Sequence, residues 1–168
     1  NAFKCNCIMN DYKKLTHDVL SHAQGHPLAI EVIGKSLFGR NVLQWRSTLD
    51  RLRDNKCRDI MDVLRVSYDD LEEKDREIFL DIACFFVGNF EQHVKEILDF
   101  RGFDPEIGLP VLVDKSLVTI SIHGLIYMHD LLRDLGKCIV REKSPKEPRK
   151  WSRLWDYEDL YKVMSDNM

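Results

Sequence analysis

The sequence contains no CxxC pair, and its five cysteines (positions 5, 7, 57, 84 and 138) form an odd set. A disulfide framework uses even sets, so the pattern argues against one and favours a reducing, intracellular compartment. Cys84 and Cys138 stand among apolar residues, where a reduced thiol behaves as a small hydrophobe. The lone pair in "CNC" (5–7) supplies too few donors for a metal site, and no metal is expected. Long apolar runs are missing as well: "IACFFV" (82–87) is far shorter than a membrane span requires. Neither sign of charge dominates. The 25 Lys+Arg and 28 Asp+Glu are interspersed and net to −3, so no general attraction to nucleic acid or anionic lipid is expected. No signal peptide is visible, and a chain beginning at Asn1 reads as a piece of a longer protein.

The motifs of catalysis are absent too. There is no GxSxG, no HExxH and no paired cysteine–histidine motif, and the lack of GxxxxGK[ST] leaves this chain without a phosphate cradle of its own. Six histidines are scattered along the chain; His22 and His26 have a helical spacing, but Gly25 and Pro27 interrupt it. No catalytic residue is expected, and the chain by itself is not read as an enzyme.

What is present is a globular composition, 44% hydrophobic and 32% charged, enough for a real core. The periodicity is mostly helical. In "DYKKLTHDVLSHAQG" (11–25), Tyr12, Leu15, Val19, Leu20 and Ala23 share a face. Pro27 opens a second helix at the position where its missing N–H costs nothing, with Leu28, Val32, Ile33 and Leu37 on one side. Asn41 is a candidate N-cap for a third, striped by Trp45, Leu49 and Leu52, and a fourth is expected at about 59–71. After a polar break (69–77), "IFLDIACFF" (78–86) reads as a central buried helix with Phe79, Ile82, Ala83, Phe85 and Phe86 as core. Helices over 91–100 and 102–117 follow, the latter expected to break near Pro110. The period then changes to two. "LVTISI" (117–122), a turn at "HG" (123–124) and "LIYMH" (125–129) form a β-hairpin, followed by the helix "DLLRDLGKCIVREK". The fold class is therefore mainly α: a small helical bundle (1–58), then a winged-helix module with one β-hairpin (59–168) that ends in a loop at 144–150 and a short helix at 155–164.

A winged helix raises DNA binding as the alternative function. The helix before the hairpin offers Lys115 against Asp104, Glu106 and Asp114, and the hairpin tip offers His123 without an arginine. The basic run Arg141, Lys143, Lys146, Arg149, Lys150 and Arg153 reads as a solvated tethering loop. The stripe that phosphate neutralisation needs is missing, so no nucleic-acid partner is expected.

Three motifs, "GHPLAI" (25–30), "FLDIACFF" (79–86) and "MHDLLRDLG" (128–136), stand in an order that resembles plant intracellular disease-resistance proteins, specifically the ARC1 and ARC2 parts of their NB-ARC nucleotide-binding switch domain. "FLDIACFF" and the closing "SRLWDYEDLYKVM" (152–164) are similar to the branch with an N-terminal Toll/interleukin-receptor-like domain, and the resemblance spans essentially the whole chain. It implies an ADP/ATP-dependent immune switch whose P-loop domain and leucine-rich repeats lie elsewhere in the same parent chain, with oligomerisation on activation and a cytoplasmic setting that leaves the nucleus open. ADP or ATP would be the parent's cofactor and not tightly bound by this segment. By the same resemblance Pro27 lies against adenine with Leu28 as apolar support, and the switch motif Met128–His129–Asp130 brings His129 to the β-phosphate of ADP. Asp130 is expected to cap the helix that follows. His26 stands where the family has leucine and is left out of the site.

Overall fold

The computed structural model describes residues 2–54 and 60–165, with side chains over 9–52 and 60–165. The side chains of Cys5 and Cys7, the whole of Cys57 and the expected boundary near residue 58 therefore lie outside what is described. The chain divides into two compact units, Asn1–Leu71 and Glu72–Met168. The helix α4 (Ile60–Asp69) belongs to the first of these, because its Val63 and Val66 join that unit's core.

The first unit holds α1 (Ala2–His22), α2 (Pro27–Leu37), α3 (Val42–Asp54) and α4. The helix α1 starts well before the expected residue 11. Leu15, Val19, Ala29, Ile33, Leu37, Leu49 and Leu52 close a shared core, while Leu20 of the expected stripe is 46% exposed. The start of α3 is a reciprocal capping box: Gln44 N–H donates to Asn41 Oδ1 and Asn41 N–H to Gln44 Oε1, each at 2.9 Å. Trp45 ties α3 to its neighbours, donating from Nε1 to the Leu37 carbonyl at 3.0 Å and meeting the Tyr12 ring edge-on at 5.2 Å.

The second unit is the winged helix: α5 (Glu73–Asp81), a π-helical turn (Ile82–Phe86), α6 (Glu91–Phe100), α7 (Pro105–Asp114), strands β1 (Thr119–Ile120) and β2 (Ile126–Tyr127), and α8 (Asp130–Arg141). A 3₁₀ turn (Pro148–Lys150) and α9 (Tyr157–Ser165) follow. Three expectations need correction here. The polar stretch before residue 78 is not all a break: α5 begins at Glu73, and Glu73 and Asp75 in its first turn suit the positive end of the helix dipole. The segment 78–86 is not one α-helix, since the chain widens to π geometry after Asp81. That shift leaves Ile82 and Ala83 buried but turns Phe85 outward to 42% exposure, so Phe85 is not core, and Phe86 is only half-buried. Finally, α7 runs through Pro110 without a break. Pro110 is solvent-exposed, and Leu109 and Leu112 beside it are fully buried, which offsets one lost backbone hydrogen bond.

The hairpin is antiparallel, pairing Thr119 with Tyr127 and Ile120 with Ile126. Its turn is closed by Gly124 N–H donating to the Ser121 carbonyl at 2.9 Å, with Gly124 at φ 75°, a conformation most side chains resist. A third rung that the alternation does not reveal runs along 88–91: Gly88 N–H donates to Ile126 O (2.7 Å), Ile126 N–H to Asn89 O (2.9 Å) and Glu91 N–H to Gly124 O (2.7 Å). The wing is thereby hydrogen-bonded to the entry of α6.

Candidate functional site

The strand β2 ends at Tyr127, and the next three residues turn the chain into α8. Met128 is buried, at 7% exposure, and anchors the turn; His129 and Asp130 are solvent-exposed. His129 has φ −59° and ψ 142°, outside helical values, so it is the N-cap: its Nδ1 accepts a hydrogen bond from Leu131 N–H at 3.1 Å. The expectation that Asp130 caps the helix is corrected. Asp130 is already the first helical residue, where its carboxylate still favours the dipole. The cap also has a chemical consequence. With Nδ1 committed as acceptor, the neutral imidazole carries its proton on Nε2, which makes that atom a donor.

Behind the motif, α8 buries Leu132, Leu135, Gly136 and Val140. Gly136 lets α8 approach the π turn closely: a Cβ at this position would lie 2.5 Å from Ala83 Cβ. The stretch Met128–His129–Asp130 is thus mounted on a helix seated tightly against "FLDIACFF".

Pro27 and Leu28 belong to the first unit, whereas Met128, His129 and Asp130 belong to the second. Pro27 is the first residue of α2 and exposed; Leu28 is half-buried. His26 precedes them as N-cap with an extended backbone (φ −77°, ψ 120°) and gives α2 no side-chain cap bond.

A cluster not foreseen from the sequence lies in the second unit. Asp81, the last residue of α5, is 0% exposed, and Arg153 is 4% exposed. Arg153 Nε donates to Asp81 Oδ1 at 2.6 Å, while its Nη2 donates to Glu77 Oε2 at 2.7 Å and to the Glu77 carbonyl at 3.2 Å. Arg101 donates to the other oxygen of Asp81. Burial works against the charge on Arg153, but the hydrogen bond to Glu77 and the carboxylate of Asp81 outweigh it and raise its pKa above the ordinary arginine value. Arg141 lies near the stacked rings of Trp151 and Trp155, 5.0 and 4.7 Å from their centres. Reading 141–153 as a solvated basic loop is therefore corrected for Arg153, which is buried, and for Arg141, which is stacked and half-buried.

Cys84, in the π turn, has its thiol pushed up to about 11 by burial, against the opposing pull of Arg153 and Lys137. It should remain a thiol until the pH approaches that value. In a timed iodoacetamide reaction at mildly alkaline pH, mass spectrometry is expected to find exposed Cys138 alkylated before Cys84.

Residues 72–144 match the family model described as the winged-helix domain of Roq1-like disease resistance proteins. Over almost its whole length the chain is similar to plant resistance proteins. It is 43% identical over 164 residues to disease resistance protein RUN1 of Vitis rotundifolia, covering 98% of this chain and 12% of that protein. It is 41% identical over 167 residues to TMV resistance protein N of Nicotiana glutinosa (99% and 14%). To disease resistance protein RPP5 of Arabidopsis thaliana it is 39% identical over 166 residues (99% and 11%). The chain thus spans a small fraction, 11–14%, of the length of these relatives.

Proposed function

We propose that the chain is the ARC1 and ARC2 portion of a nucleotide-dependent switch in a plant immune receptor of the Toll/interleukin-receptor-like branch. Its similarity to plant resistance proteins and the winged helix over 72–144 support a place in such receptors. In this reading ADP, held by a P-loop domain of the parent chain, keeps the receptor closed. Exchange for ATP frees the winged helix and permits oligomerisation, with leucine-rich repeats as a further neighbour in the parent. The setting is the cytoplasm, with access to the nucleus left open.

The observation that carries the nucleotide role is the cap at His129. Because Nδ1 accepts the Leu131 N–H, Nε2–H is the donor offered to a phosphate oxygen. Pro27 contributes separately, as a ring without an N–H that can close on a purine face and leave no donor unsatisfied. Energetically, ADP holds the closed state only if it binds that state better than the open one, and a phosphate contact from the winged helix supplies such a difference.

The test separates cap from donor in a longer chain that includes the P-loop domain. His129→Asn retains an oxygen able to accept the Leu131 N–H but has no donor where Nε2 stood. We expect it to bind ADP more weakly by about 1.5–3 kcal/mol, roughly ten- to a hundredfold. Nucleotide retained after purification, measured by chromatography of the denatured protein, falls accordingly, and the oligomer profile shifts upward. His129→Ala loses the cap as well, a further cost of about 1 kcal/mol to the helix. Unchanged ADP content and an unchanged oligomer profile in both variants would sink the proposal.

A further inference from the structure

We propose that residues 144–165 form a releasable strap, latched onto the winged helix by insertion of Arg153 between Asp81 and Glu77. Within that stretch, a cation is the one buried residue. Arg153 is 4% exposed, while the neighbouring Trp151, Leu154 and Trp155 are only half-buried and no residue of α9 is buried. A segment held by an apolar face stays docked because water is excluded from it; this one is held by directional polar contacts.

Those contacts are saturated. Three Arg153 nitrogens are engaged: Nε with Asp81, Nη2 with Glu77, and Nη1 with Ser152 Oγ at 3.1 Å. The partners lie 72 and 76 residues earlier in the chain, so the pair closes a long loop. The second fixing point has the same character. Arg141 of α8 lies near the rings of Trp151 and Trp155, and its Nη2 reaches Asp159 of α9 at 3.5 Å, while Trp151 Nε1 donates to the Ser144 carbonyl at 2.8 Å.

A fully buried carboxylate needs both its oxygens satisfied, and here Arg101 and Arg153 each take one. When the strap leaves, water replaces Arg153 at Asp81, and Arg101, itself 41% exposed, stays paired from the solvent side. The latch therefore has two defined states. Latched, α9 moves as part of the winged helix; released, it hangs on a tether that begins after α8. The fork of arginine suits this lock because it spans two carboxylates at once, which a single ammonium does not.

Hydrogen exchange followed by mass spectrometry on the 168-residue chain tests the latch. In the unmodified protein, amides of 151–165 are expected to exchange through an opening that leaves α5 to α8 protected. Arg153→Gln and Arg153→Lys are both expected to speed exchange in 151–165 by about tenfold or more, with α5 to α8 unchanged. Unaltered strap protection in both variants would show that the strap is held by something else. Strap amides that exchange in the unmodified protein only together with α5 to α8 would overturn the proposal even if the variants do not fold, because the pair would then be part of the core and not a latch.

Discussion

Phe79→Ala is expected to lower the stability of the winged-helix unit by about 3–5 kcal/mol, the usual cost of emptying a large aromatic site in a packed core. Phe79 is 0% exposed in the last turn of α5, the helix that packs on both α7 and α8. Its ring also sits beside the Gly136 approach, where a Cβ would come within 3.4 Å of it. Surroundings pinned from several sides collapse poorly into a void, which puts this site toward the costly end. A domain's whole margin is about 5–15 kcal/mol, so the variant loses a large share of it. In urea, with slopes near 1–3 kcal/mol per M, the midpoint of the unit falls by more than about 1 M. Amide exchange in α5 and α8 across a urea series reads this separately from the first unit. Phe85→Ala, with a ring 42% exposed, is expected to cost about 1 kcal/mol or less. Equal shifts for the two would mean that the π turn does not sort them into core and surface.

That contrast marks what sequence periodicity reveals and what it hides. Helical spacing recovers α2, α3, α6 and α8, because the apolar residues of each really do face the core of its own unit, and local chemistry fixes Pro27 at a helix start and Asn41 in a capping box. It misassigns Phe85 because a π turn moves every later residue round the axis, and nothing in the composition of "IACFF" announces the widening. Pro110 misleads in the opposite direction. A breaker on an exposed face is tolerated when its neighbours bury leucines, and that is decided by tertiary packing. Arg153 and Asp81 are invisible to any window, since their partnership spans 72 residues and each looks like an ordinary surface charge. At Met128–His129–Asp130 the sequence locates the strand-to-helix seam, but not which side chain caps it. Histidine is an uncommon cap, and only the backbone angles place His129, not Asp130, at that position.

Gly136→Ala tests the closest contact in the unit, and two opposed effects decide its sign. In the interior of an exposed helix, replacing glycine by alanine is favourable by about 1 kcal/mol. Gly34 in α2 is such a case, with nothing within 4 Å of an added Cβ, and Gly34→Ala is expected to stabilise the first unit by close to that amount. At Gly136 the added carbon would stand 2.5 Å from Ala83 Cβ, far inside the roughly 3.5–4.0 Å of a carbon–carbon contact. Ala83 Cβ is the stub of a short side chain on the backbone of the π turn and cannot swing aside, so α8 itself must move away. Overpacking of this kind costs about 1–3 kcal/mol, which exceeds the propensity gain, and the β-branched Gly136→Val costs more than the alanine. Thermal or urea unfolding read in α8 should therefore show destabilisation at 136 where the same change at 34 stabilises. Ala83→Gly removes the colliding carbon, so the double variant should recover most of the loss, a coupling that a general weakening of α8 would not produce. Because His129 is the N-cap of α8, a helix displaced from the π turn also carries the imidazole with it. Under the proposed nucleotide switch, Gly136→Ala in a longer chain that includes a P-loop domain should then lower retained ADP without touching the imidazole proposed to meet the phosphate, and Ala83→Gly should restore it.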